Sequence, residues 1–187
     1  MIFHDDINHI YKNIRTNVTR QELTKLRGLT YQCYHCVEIG SYLGASAYAI
    51  CSGFNDEYKR LYCIDTWESN TELRPDPKSG LSLFDEFKHN TERYNIHIKT
   101  IKDYSDSAYF YFIENEMKID FLFLDGDHTE KGFKKDYDLY FPLLRKGGVI
   151  ICHDYGWASV KTIFETYIRH NLTNVDNLPN MIWGYKI

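Results

Sequence analysis

The sequence predicts an α/β fold, a doubly wound, mostly parallel sheet preceded by a helical N-terminal extension, and two observations carry that expectation. Short runs at residues 33–39, 60–64, 96–101, 120–124 and 149–152 are apolar nearly throughout instead of alternating, the mark of strands covered on both faces. Helical periods separate these runs, and strand, helix, strand repeated with right-handed crossovers closes into one layered sandwich. No internal repeat, low-complexity tract or linker interrupts the pattern, so residues 1–187 read as one domain, with 1–30 the extension and 31–187 the core.

The elements follow in order. Ile7, Ile10, Tyr11, Ile14 and Val18 recur at three- and four-residue steps after Asp5 and Asp6, as one face of a helix does. Thr19 and Glu22 have capping-box spacing for a second helix, with Leu23 and Leu26 on its apolar side and Gly28 as its expected C-cap. Within the core, helices are expected over 45–53, 82–94, 105–115 and 130–144, the last marked by Phe133, Tyr137, Tyr140 and Phe141. A further helix over 157–170 carries Val160, Ile163, Phe164, Tyr167 and Ile168, and one or two strands end the chain, 181–187 the stronger of them. The segment 67–80 is long, polar and holds Pro75 and Pro77 directly after a strand, so it is a candidate lid.

Composition narrows the function. A net charge of −4 from 22 basic and 26 acidic residues lacks the basic excess of a phosphate-tracking surface, which disfavours nucleic acid as a partner. No run approaches the roughly 18 to 20 apolar residues of a membrane span, and the start Met-Ile-Phe-His-Asp-Asp lacks a secretory profile, so a cytoplasmic location is expected. The five cysteines fit reduced core residues. Cys33 and Cys36 have C-x-x-C spacing but no second pair at zinc-site distance, and they read as packing. Sixteen Tyr and 11 Phe make the chain rich in aromatics, suited in part to a site for a flat or sugar-like ligand.

Ligands of an open parallel sheet bind outside the carboxyl ends of its strands, and here those ends are acidic. The first strand runs through Glu38-Ile39-Gly40-Ser41-Tyr42-Leu43-Gly44-Ala45-Ser46, a tight glycine turn into a helix whose free N–H groups face the crevice. Its G-x-x-x-G spacing differs from the G-x-G-x-x-G of dinucleotide folds. Asp65, with Thr66 and Trp67, ends the second strand at the distance where an acid grips ribose hydroxyls. After the third strand, Asp103 or Ser105 is either a helix cap or a contact to a purine amine. The fourth strand ends Asp125-Gly126-Asp127-His128 and the fifth ends His153-Asp154-Tyr155. So many ionisable groups in one crevice are costly for structure alone.

Together with Phe141-Pro142-Leu143-Leu144 and Lys146-Gly147-Gly148, these residues resemble class I S-adenosylmethionine-dependent methyltransferases with a Rossmann-like fold. The nearest likeness is to the small-molecule O-methyltransferases of the macrocin and sugar type, many of them metal-dependent, and it covers about residues 37–155. The resemblance implies an antiparallel last strand. It also implies that Glu38, Gly40, Ser41, Gly44 and Ser46 frame the methionine part of S-adenosyl-L-methionine. Asp65 would hold the ribose, Trp67 would flank the adenine, and Thr66, Asp103, Ser105 and Asp125 would complete the cofactor site. Asp125, His153 and Asp154 would be the ligands of a divalent metal, Mg or a softer ion; His153 stands where that branch carries an Asp, and since imidazole is a poorer partner for Mg, either a softer ion binds or the metal role is lost. Asp127 or His128 would take the acceptor's proton, His128 being the better base by its ordinary pKa near 6.5.

The expected activity is O-methylation of a hydroxylated small molecule, a sugar or a phenol. With little chain left for a substrate domain, a second copy of the chain is a candidate partner. A cofactor-binding protein without transfer activity is the alternative, and the retained base candidates count against it. A nucleotide-dependent oxidoreductase is a third, opposed by the glycine spacing.

Overall fold

The computed structural model describes residues 5–68, 74–75 and 79–187. Seven strands form one sheet in the order β3-β2-β1-β4-β5-β7-β6. They are β1 (His35–Ile39), β2 (Arg60–Asp65), β3 (Ile98–Lys102), β4 (Ile119–Leu124), β5 (Leu144–His153), β6 (Leu172–Leu178) and β7 (Met181–Lys186). The first five pair in parallel, and β7 pairs antiparallel with both β5 and β6. Among the described residues no helix is long and apolar enough to cross a membrane.

Successive residues of the central strands go to opposite faces. Phe121 and Phe123 join the core on one side of the sheet, Leu122 and Leu124 the core on the other. Helices α1 (Asp5–Asn13), α2 (Arg20–Leu29), α3 (Ala45–Ser52) and α4 (Leu83–Thr91) cover the first face. Helices α5 (Ser105–Glu114), α6 (Glu130–Tyr140) and α7 (Ala158–Ile163) cover the second. The change of side falls between β1 and β4, whose outgoing chains leave in opposite directions and open a crevice above the sheet.

The N-terminal helices are part of this packing. Ile7, Ile10, Ile14, Val18, Leu23 and Leu26 are all buried in the same core as α3. Thr19 and Glu22 form the expected capping box. Gly28 is not its C-cap: α2 runs through it to Leu29 and ends at Thr30, whose hydroxyl donates to the Arg27 carbonyl at 2.8 Å.

Three further boundaries differ from the periodicity, each for a physical reason. Strand β3 starts at Ile98 because a helical turn and bend occupy 92–97, and as an edge strand it leaves Lys99 and Lys102 exposed. The 130–144 segment is helical only to Tyr140, where Pro142 tightens the chain into a single 3-10 turn, and β5 begins at Leu144, earlier than its apolar run. The 157–170 segment holds its turns but changes pitch, from α7 to a π turn over Phe164–Ile168 and a 3-10 turn over Arg169–Asn171. All five cysteines are free and buried.

Candidate active site

The crevice is built on the ends of β1 and β4. Gly40 has φ +87°, and a Cβ there would stand 2.1 Å from the Asp125 carbonyl oxygen, so only glycine lets the two strand ends touch. Asp65 then shapes the loop that follows. Its Oδ2 accepts from the backbone N–H of Ser41 at 2.9 Å and of Tyr42 at 2.8 Å, and its Oδ1 accepts from that of Trp67 at 2.7 Å. Tyr42 and Trp67 both sit at positive φ, 42° and 48°, a strained backbone that this carboxylate holds.

Trp67, which the resemblance sets beside the adenine, is buried at the second strand's end. Its ring packs on Phe84 and Phe87, and its indole N–H donates to the Tyr42 carbonyl at 2.8 Å, bracing the loop from beneath. Thr66 is half-buried beside it. Gly44, at φ +87°, starts α3 with no side-chain cap, leaving the first N–H groups of that helix unclaimed by side chains. Ser46 is buried in its first turn. Beneath the loop, Glu38 is fully buried and accepts from the Ser41 hydroxyl at 2.6 Å. Burial pushes its pKa up to about 7 against that hydrogen bond, and its Oε1 has no partner among the described residues.

At the ends of β4 and β5, Asp125, His128 and Asp154 offer ligand atoms that lie within 4.8 Å of one another. Asp154 sits at φ 52°, its Oδ1 accepting from the Asn180 amide at 2.7 Å and its Oδ2 lying 2.9 Å from His128 Nε2. Burial lowers the pKa of His128, but the Asp154 contact and the charges of Asp125 and Asp154 outweigh it, leaving it above the ordinary value. Burial raises Asp125, and His153 only partly offsets that. Asp154 stays well below the usual carboxylate range, the two histidines overcoming its own desolvation.

His153 is the more buried of the two histidines that meet these acids. It is 4% exposed, with Nδ1 at 3.0 Å from Asp125 and 3.5 Å from Asp154, and Nε2 at 3.6 Å from Glu22. Carboxylates therefore flank both ring nitrogens, as ion pairs and not as aligned hydrogen bonds, and His128 joins His153 beside Asp125 and Asp154. Burial disfavours the imidazolium, yet the three acids raise its pKa to about 12. Glu22 and Asn180 are the residues that sequence reasoning missed here. Glu22 was visible only as a helix cap, and Asn180 lay in a tail read only for its strands.

The two base candidates separate. Asp127 is exposed and turns back onto α6, its Oδ1 accepting from the Thr129 N–H at 2.8 Å. His128 faces the crevice group, with the exposed Trp157 ring 5.3 Å from its own. After β3, neither Asp103 nor Ser105 caps α5: Asp103 is exposed and accepts from the Tyr104 N–H at 2.7 Å, while the Ser105 hydroxyl donates to Asp136. Of the candidate lid, 69–73 and 76–78 lie outside the described residues. The carbonyl of Arg74 accepts from the Tyr42 hydroxyl at 3.0 Å and from the Arg15 guanidinium.

Known proteins resemble this chain in sequence and fold. An uncharacterized protein, R132, of Acanthamoeba polyphaga mimivirus is 31% identical over 152 residues, covering 79% of this chain. The chain spans 58% of that relative's length. Among solved structures, the O-methyltransferase from Bacillus cereus in complex with S-adenosylhomocysteine (SAH) superposes with TM-score 0.69 at 15% identity, over 98% of this chain and 90% of that one. The SAH-bound Podospora anserina methyltransferase PaMTH1 gives 0.68 at 14%, over 98% and 88%. MycE from the mycinamycin biosynthetic pathway, in complex with Mg, SAH and mycinamycin VI, gives 0.63 at 15%, over 97% and 54%. At these identities the superpositions establish a shared fold. A methyltransferase-domain family matches residues 37–155, well over half of the sequence, and the chain belongs to that family.

Proposed function

We propose that the protein is an S-adenosylmethionine-dependent O-methyltransferase acting on a hydroxylated small molecule, a sugar or a phenol. One observation carries the reading: the Asp125, His128 and Asp154 group stands beside the Gly40–Gly44 loop at the β1/β4 crossover, where a methyl donor and an acceptor hydroxyl would meet. The Glu38 oxygen without a partner suits the donor's ammonium, and the uncapped start of α3 suits its carboxylate.

The sulfonium is already electrophilic, so the chain's task is to align the acceptor oxygen and take its proton. His128 is the base, oriented by Asp154, and Trp157 offers the acceptor a flat apolar surface at the crevice mouth. Two carboxylates and an imidazole also fit a divalent ion, held by Asp125, His128 and Asp154 and of the Mn, Fe or Zn type ahead of Mg. When bound, it would supply positive charge that favours an alkoxide or phenolate. His128 Nε2 would then be taken up as a ligand of the ion. Five buried free cysteines support a reducing compartment such as the cytoplasm.

Transfer of a labelled methyl group from S-adenosylmethionine to a panel of catechols and sugars, with chelator and with added Mn, tests the reading. Turnover of any acceptor supports it. Binding of the cofactor with no turnover across the panel would favour a binding protein.

A further inference from the structure

Asp154 turns at φ 52°, in the left-handed region that a residue with a side chain adopts only when its surroundings hold it there. The clamp is Asn180, in the short turn between β6 and β7. Strand register brings it into place: His153 pairs with Met181, so the residue before Met181 meets the residues after His153. Its side-chain amide donates to Asp154 Oδ1 at 2.7 Å, its side-chain oxygen accepts from the Gly156 N–H at 3.2 Å, and its backbone carbonyl accepts from the Tyr155 N–H at 3.2 Å. Only this orientation of the amide satisfies both side-chain partners, since a carboxylate accepts and an N–H donates. Gly156 is matched to it. A Cβ there would stand 2.9 Å from Asn180 Oδ1, so any other residue would push the Asn180 side chain away.

The carboxylate held in this way is the one beside His128. With Oδ1 bonded to Asn180, Asp154 presents Oδ2 to His128 Nε2 at 2.9 Å and to His153 Nδ1 at 3.5 Å. We propose that Asn180 is a positioning residue of the methyl-transfer site, fixing the Asp154 carboxylate so that its free oxygen holds His128 at the crevice. The inference rests on the transfer reading, in which His128 is the base. A neutral amide suits the task, because it donates without adding charge. A Lys at this position would pair with Asp154 in competition with His128, and an Asp would repel it.

The test compares the full chain with Asn180→Asp, Asn180→Ala and Gly156→Ala. Asn180→Asp keeps the shape and the acceptor but loses the donor, and Gly156→Ala presses on the same contact from the other side. In all three, kcat should fall roughly 10- to 100-fold, the scale for a residue that orients another at a site, while KM for S-adenosylmethionine and affinity for SAH change by less than about twofold. The second readout is modification of His128 by diethyl pyrocarbonate in the presence of chelator, followed by peptide mass spectrometry. Released from Asp154, His128 should react several-fold faster in Asn180→Ala and Gly156→Ala. A brace that served the fold alone would lower the unfolding free energy and leave kcat and the His128 rate of the folded variants at wild-type values, and that result overturns the inference alone. Gly156→Ala decides the matter if the Asn180 variants do not fold. Wild type that turns over no acceptor overturns the transfer reading and this inference with it.

Discussion

His128 and Asp136 show how surroundings set the part that an ionisable side chain plays. His128 is partly exposed at the crevice with Asp154 at 2.9 Å, and it is the base proposed above. His128→Gln should lower turnover by roughly 10² to 10⁴, the usual contribution of a positioned base, with SAH affinity unchanged by calorimetry. Asp136 is sealed in. Its folded pKa of about 6 stands above the unfolded value of 3.8, so its stabilising contribution is complete below pH 3.8 and is lost as pH rises through 6. The loss is of the order of 3 kcal/mol. Urea unfolding of wild type and Asp136→Asn should therefore show wild type losing stability relative to the variant between about pH 4 and pH 6. Parallel curves would refute the burial account.

At the scale of elements, the loop after β1 is held by one glycine and one carboxylate. Gly40→Ala puts a methyl 2.1 Å from the Asp125 carbonyl oxygen at a φ that alanine rarely adopts. A loss of more than about 3 kcal/mol in unfolding free energy, or no soluble protein, is the expected result. This loop was legible in the sequence because Glu38, Gly40 and Gly44 lie within one short stretch after an apolar run. The position of Trp67 was not, because the positive φ that turns its ring onto Phe84 and Phe87 comes from a hydrogen bond to Asp65 and not from any spacing. Strand β3 was placed two residues early because Ile96 extends its apolar run into the turn that precedes it.

For the whole molecule, the doubly wound order was readable from continuous apolar runs, since burial on both faces is a property of each strand by itself. Contacts between distant segments left no such trace. Glu22 and His153 are 131 positions apart and meet only when α2 closes over β5, at 3.6 Å and with both side chains buried. This contact joins the N-terminal helices to the crevice. Glu22→Gln would leave His153 with one charged partner fewer in a buried site and should cost about 3 kcal/mol in unfolding free energy, where an exposed pair would cost under about 1. A smaller loss, measured by denaturant titration, would mean that the extension is only loosely tied to the core.

The account turns on the Gly40–Gly44 loop and Asp65 forming a cofactor site at the β1/β4 crossover. Isothermal titration of the full chain with SAH measures that directly. One site per chain, weakened at least about tenfold by Asp65→Asn in a protein that remains folded, is the predicted result. Absence of binding to the folded wild type, or an affinity untouched by Asp65→Asn, would contradict it.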